Sequence, residues 1–247
     1  MPTDTSEHIY RHYEEELAEL KERLLAMGGV AEERLRVAIA AIVERDAALA
    51  QEVARGDEPV NQYHKDIDSR CFRLLALRQP MAVDLRGILA AVKINTDLER
   101  VGDLAVNIAE AGQRYLLHPP VKELVDIPQM ALIAQSMLRD ALDAYVRRDV
   151  ALAQSVLDKD DELDRLKDRV FRDLLGHMLA SPSTVEPALD LLLISRHLER
   201  IGDHATNVAE DVIFMVSARD VRHAPPDARP ERRRGAGVSA RGLGGRR

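Results

Sequence analysis

The chain has no tryptophan, three phenylalanines and five tyrosines among its 247 residues. Its core must therefore be filled by aliphatic side chains, and the abundant Ala, Leu, Glu and Arg are strong helix formers. Cysteine is nearly absent too. The lone Cys71 excludes an intrachain disulfide and any paired-cysteine zinc site, and suits a reducing, cytoplasmic compartment. Long apolar runs are missing: ALDLLLI at 188–194 is interrupted by Asp190 and falls far short of the roughly 20 residues of a spanning helix. Membrane insertion is not expected. The N-terminal segment MPTDTSEHIYRHYEEELAELKERLL carries charge throughout and lacks the apolar centre of a signal peptide. Basic residues are in deficit, 35 against 42 acidic ones for a net charge of -7. Nucleic-acid binding, which needs a basic face to neutralise phosphates, is therefore not expected. There is no P-loop and no G-x-S-x-G, so neither ATP hydrolysis nor nucleophilic acyl transfer finds a motif.

What is present is a duplication. Residues 45–53 read RDAALAQEV and 148–156 read RDVALAQSV. Residues 99–110 read ERVGDLAVNIAE and 199–210 read ERIGDHATNVAE. The offset is 103 for the first pair and 100 for the second, so a unit of about 100 residues occurs twice. Each unit reads as three helices. In the first, Asp4-Thr5-Ser6 offers an N-cap, apolar residues at 3–4 spacing run through Leu17, Leu20, Leu24 and Met27, and Gly28-Gly29 is expected to bend or interrupt the helix before it resumes to about Arg45. Further helices are expected over about 47–77 and 81–117, and in the second unit over about 127–147, 150–180 and 184–217, with Pro80 and Ser181-Pro182 in the hairpin turns. No stretch alternates with period two, so no strands are expected. The fold class is all-α, two pseudo-symmetric three-helix bundles at 7–117 and 127–217, followed by a basic tail, 218–247, without apolar period and read as disordered.

The last helix of each unit carries an apolar seam: Ile94, Leu98, Val101, Ala105 and Ile108 in the first, and Ile194, Leu198, Ile201, Ala205, Val208 and Val212 in the second. Opposite the seam runs a polar stripe. At about 100° per residue, Glu199, Asp203, Asn207 and Glu210 fall within about 80° of one another, and Glu99, Asp103, Asn107 and Glu110 repeat the pattern. Short hairpins make helices two and three antiparallel, so Asn61 lies level with Glu99 and Asp164 with Glu199. One turn further out, Asp57 meets Asp103 and Asp160 meets Asp203. Two oxygen-donor quartets result: Asp57, Asn61, Glu99, Asp103, and Asp160, Asp164, Glu199, Asp203, with Asn107, Glu110, Asn207 and Glu210 as further candidates.

Such acids are either a solvated helix face, an ion-pair network with Arg100 and Arg200, or ligands converging on a cation. An all-oxygen set suits hard or borderline divalent metals, iron among them, and excludes thiophilic ones. Gly56 and Pro59 flank Asp57 and suggest a kink there, so the second quartet is the more regular. A ferritin-type di-metal oxidase is the enzymatic alternative, but its Glu-x-x-His pairs are absent. A structural bundle without metal is the other.

The words LERVGDLAVNIAE and LERIGDHATNVAE, with RLLALRQPMAVDLR at 73–86 and NVAEDVIFMV at 207–216, resemble the PhoU family of phosphate-transport accessory regulators over roughly residues 7–217. The resemblance implies two three-helix bundles, usually assembled as a homodimer, and a non-enzymatic cytoplasmic protein. It implies members that can bind multinuclear iron or zinc clusters at the acidic motifs. It also implies negative regulation of the phosphate-starvation response, exerted between the ATPase of a phosphate ABC transporter and a phosphate-sensing histidine kinase.

Overall fold

Charged or polar residues occupy one face of nearly every helix, and the opposite faces supply an aliphatic core. A computed structural model describes residues 3–56, 58–78 and 80–219, with backbone alone for 3–10. Asp57 and all but the first two residues of the tail lie outside the described residues. The elements are α1 (Thr3–Val43), α2 (Ala47–Ala54), α3 (Glu58–Arg78), α4 (Ala82–Leu116), α5 (Asp126–Arg147), α6 (Val150–Ala180), one 3-10 turn (Pro182–Thr184) and α7 (Val185–Ser217). There is no strand among the described residues.

Helices α1, α2–α3 and α4 form one three-helix bundle, and α5, α6 and α7 the other. The bundles meet where α4 packs on α7 and α1 on α5. All eleven seam residues anticipated on α4 and α7 are fully buried. Residues 91–100 and 191–200 share the same order of buried, half-buried and exposed positions. Contacts between the two helices fix an antiparallel register. Lys93 Nζ lies 2.9 Å from Asp211 Oδ1, Arg114 Nε 2.8 Å from Asp190 Oδ1, and His204 Nδ1 2.8 Å from Asp97 Oδ1. In this register the two copies of the LER-x-GD word lie level with one another near the centre of the molecule.

The other repeated word builds a turn. Arg45 and Arg148 both adopt left-handed backbone, with φ of 57° and 55°. The aspartates that follow cap the next helices: Asp46 accepts from the amides of Ala48 and Leu49, and Asp149 from those of Ala151 and Leu152, at 2.9–3.1 Å. Capping carboxylates of this kind stabilise a helix by about 1 kcal/mol.

Three expectations are corrected. First, the single helix over 47–77 is split into α2 and α3, as the flanking Gly56 and Pro59 hinted. Gly56 has φ +124°, open to glycine and strained for other residues, and Arg34 braces the break by donating to the carbonyls of Val53 (2.8 Å) and Gly56. Second, Asp4-Thr5-Ser6 lies inside α1, which already begins at Thr3. Third, Gly28-Gly29 neither bends nor interrupts α1, which is continuous to Val43. A Cβ at Gly28 would stand 2.2 Å from Leu142 Cδ1, whereas one at Gly29 would meet nothing within 4 Å. Gly28 therefore serves the close approach of α1 to α5, and Gly29 serves no contact.

The two glycines should respond oppositely to substitution. Gly29→Ala should raise stability by about 0.5–1 kcal/mol through helix propensity. Gly28→Val should lower it by about 1–3 kcal/mol by forcing Leu142 out of a packed core. Urea unfolding of the two variants checks both, and a stabilised Gly28→Val would remove the close-approach argument.

Candidate functional site

The second quartet is brought together by the hairpin of α6 and α7. Gly202 is the reason the helices can close on it. A Cβ there would stand 2.4 Å from Leu163 Cδ2 and 3.7 Å from Asp160 Oδ1. Its hydrogen atom lets α6 lie against α7 at the level where Asp160, Asp164, Glu199 and Asp203 meet. Asp160 is pushed up to about 6 by burial, and then by the negative charges of Asp164, Asp203, Asp161 and Glu199. Asp203 is also raised, by burial first and then by Glu199 and Asp164, with His204 and Lys167 opposing. The four carboxylates therefore share one electrostatic environment.

They do not converge on one point. Among the described residues, no group of three or more Asp, Glu, His or Cys side chains is arranged to hold a metal ion. The cation in the groove is Lys167, whose Nζ donates to Asp164 Oδ1 and to Glu199 Oε1, each at 2.8 Å. Those two hydrogen bonds raise its pKa, so it is charged at any neutral pH. The ion-pair alternative named Arg200 for this role, and the structure gives it to Lys167. The sequence did carry a signal, a lysine three residues after Asp164 on the same helix face.

In the first bundle Arg100 is the cation, with Nε 3.4 Å from Glu99 Oε2 and Nη1 3.2 Å from Asp103 Oδ2. Asn61 is half-buried on α3, and Asp57 lies outside the described residues. The outer stripe is less uniform. Asn207 turns to α4, its Nδ2 3.3 Å from Asp97 Oδ1, while Asn107 is half-buried, Glu110 exposed and Glu210 half-buried. The cross-bundle cluster of Asp97, His204, Lys93 and Asp211 was not anticipated, because it follows from the α4–α7 register and not from either repeat alone. Cys71 is fully buried, and burial followed by the charge of Asp68 pushes its thiol up to about 12, which leaves it inert.

This arrangement of helices and duplicated acidic motifs is that of a known class. The family model for the PhoU domain matches residues 24–112 and again 127–212. The chain belongs to the PhoU family. It is 42% identical over 222 residues to the phosphate-specific transport system accessory protein PhoU homolog of Caulobacter vibrioides, covering 90% of this chain and 96% of that one. It is 35% identical to the PhoU of Serratia marcescens, covering 90% and 92%. The crystal structure of PhoU from Pseudomonas aeruginosa superimposes with a TM-score of 0.79 at 38% identity, covering 84% of this chain and all of that one. The phosphate transport system regulatory protein PhoU from Streptococcus pneumoniae gives 0.77 at 29% identity, covering 85% and 99%.

The raised carboxyls make a prediction for protein freed of divalent metal by chelation. Folded Asp160 keeps its proton at pH values where the unfolded chain, with a carboxyl pKa of about 3.9, has released it. Its contribution is fully present below that value and is lost as the pH rises through about 6. Asp160→Asn should therefore leave stability at pH 4 nearly unchanged and raise it at pH 7.5. Solvent screening of this half-buried group keeps the gain to about 1 kcal/mol. Urea midpoints at the two pH values check this, and an equal change at both would remove the electrostatic account.

Proposed function

We propose that this chain is a cytoplasmic accessory regulator of phosphate-specific transport that restrains the phosphate-starvation response. In this reading it has no reaction of its own and works by contact with two proteins, the ATPase of a phosphate ABC transporter and a phosphate-sensing histidine kinase, as a homodimer. The observation that carries the reading is the match of both halves to the PhoU domain, together with relatives of nearly equal length named as accessory proteins of this transport system. No helix among the described residues is long and apolar enough to cross a membrane, in keeping with a protein that meets its transporter from outside the bilayer.

A divalent metal, iron or zinc among the candidates, is the second element of the reading. The donor chemistry fits. Asp160, Asp164, Glu199 and Asp203 would hold the ion in the second bundle, and Asn61, Glu99 and Asp103, with Asp57, in the first. A bound ion would add positive charge among four neighbouring carboxylates that otherwise share a single lysine. In the second bundle Lys167 is the competitor, and its release from Asp164 and Glu199 would accompany metal uptake.

Two experiments test these elements separately. Deletion of the gene should derepress phosphate-scavenging genes in phosphate-rich medium, read by transcript levels. Unchanged transcripts in a strain without a paralogue would overturn the regulatory reading. Glu199→Ala with Asp203→Ala should abolish divalent binding in the second bundle, read by calorimetry and metal analysis of the purified protein. The helical circular dichroism signal should persist, because both side chains reach solvent. Equal metal content in wild type and double variant would leave the acids as a solvated face or a protein contact.

A further inference from the structure

The two bundles share a plan but not a surface. Between α6 and α7 runs a groove of about 820 Å3. Its hairpin end is apolar and open, with Phe171 52%, Leu189 50% and Leu193 41% exposed. Several large apolar side chains exposed side by side mark a contact surface. Further along α7 the groove is walled by Arg196 and Arg200. Leu189, Leu193, Arg196 and Arg200 follow one another at helical spacing, so they form one stripe along the same wall. The Lys167–Glu199 contact sets the register of the opposite wall and places Phe171 within a turn of Leu193.

The two arginines are exposed and have no side-chain hydrogen bond or ion pair among the described residues. Lys167 has taken Glu199, one of the two carboxylates that the pattern of the first bundle would give to Arg200. Their charge reaches His197, which is lowered mainly by burial and then by Arg200, Arg196 and Arg114. The first bundle also exposes apolar side chains at its hairpin end, Phe72 and Leu89 among them, but it lacks the continuation of the stripe. Leu193 is replaced there by Lys93, bound to Asp211, and Arg196 by Thr96. Arg200 is replaced by Arg100, which is neutralised by Glu99 and Asp103.

We propose that the α6–α7 groove is the docking site for a helical segment of a partner protein. That segment carries an apolar face at i, i+3/i+4 and i+7, with carboxylates placed to meet Arg196 and Arg200. A helix is the matching element because ridges of side chains fit a groove between two helices, and no sheet edge is offered among the described residues. The wall from Leu189 to Asp203 spans about 21 Å, which takes about 14 residues of helix. Asp203 at the far end repels an acidic segment that runs past it, so the groove also fixes the position of the carboxylates. The proposal rests on the adaptor reading above, to which it adds the chemistry of one partner.

The test uses two fluorescein-labelled, helix-stabilised 15-residue peptides with the same leucine stripe, one bearing glutamates and the other lysines beside it. Fluorescence anisotropy with the full-length protein should show saturable binding of the glutamate peptide, at least tenfold tighter than the lysine peptide. Arg196→Glu with Arg200→Glu should weaken it at least tenfold, as should Leu189→Asp with Leu193→Asp. Thr96→Glu, the counterpart position in the first bundle, should leave it unchanged. Circular dichroism confirms that the variants fold. Equal binding of both peptides, no binding, or binding indifferent to the arginine reversals would overturn the proposal. So would a loss of self-association in the arginine variant by sedimentation, which would make a second copy the occupant. Binding of the protein to anionic vesicles through the same arginines, without peptide binding, would also overturn it. These readouts are made in vitro, so they are independent of whether deletion derepresses phosphate genes.

Discussion

The packing of α4 against α7 is the contact on which the rest of the molecule depends. Two helices of nearly the same sequence lie antiparallel, each presenting an unbroken seam of Ile, Leu, Val and Ala that is fully buried. Burial of each large aliphatic side chain in such a seam contributes about 1.5–3 kcal/mol relative to exposure. With the seams turned inward, the acids of the LER-x-GD words have to face outward, into the grooves against α3 and α6. The position of the second quartet, and of Glu99 and Asp103 in the first bundle, is thus a by-product of how the centre packs.

Much of this was legible in the sequence, because helical periodicity and a duplicated word carry strong information. The seams, the hairpins at Pro80 and Ser181-Pro182, and the gathering of Asp160, Asp164, Glu199 and Asp203 all follow from spacing and a short turn. What escaped were features that depend on a neighbour from another part of the chain. Gly28-Gly29 reads as a break when seen alone, and only the position of Leu142 shows why Gly28 is small. Lys167 was hidden because the two arginines inside the repeated word drew the eye as counter-ions. The cluster around Asp97 and His204 lies between halves, and repeat analysis compares halves without docking them.

The same six-residue word is thereby put to two electrostatic uses. In the first bundle the arginine inside the word turns back on its own acids, and the groove is locally balanced. In the second, a lysine from the facing helix pairs with Glu199 of the word, and the arginine is exposed without an ion pair among the described residues. Duplication supplied a common frame, and a few substitutions, Lys167 on α6 with Leu193 and Arg196 on α7, make the two halves chemically different.

That difference extends to the ion pairs joining the halves, and it bears on which helices find each other while the chain folds. Because α4 and α7 are so alike, α4 could in principle pair with α4 of another molecule, or α7 with α7. In an α7–α7 pairing Asp211 would face Leu193, and Asp190 would face Phe214, so two carboxylates that are 4% and 8% exposed here would be buried without a cation. An α4–α4 pairing would set Lys93 and Arg114 opposite Ala111 and Ala90 and lose both ion pairs, while the buried-charge penalty falls on the α7–α7 pairing. An uncompensated buried charge costs several kcal/mol, more than the pair itself gains. The ion pairs across the centre therefore act as an assembly key. They add little to the stability of the correct molecule and count heavily against entangled ones, at the crowded concentrations where newly made copies meet.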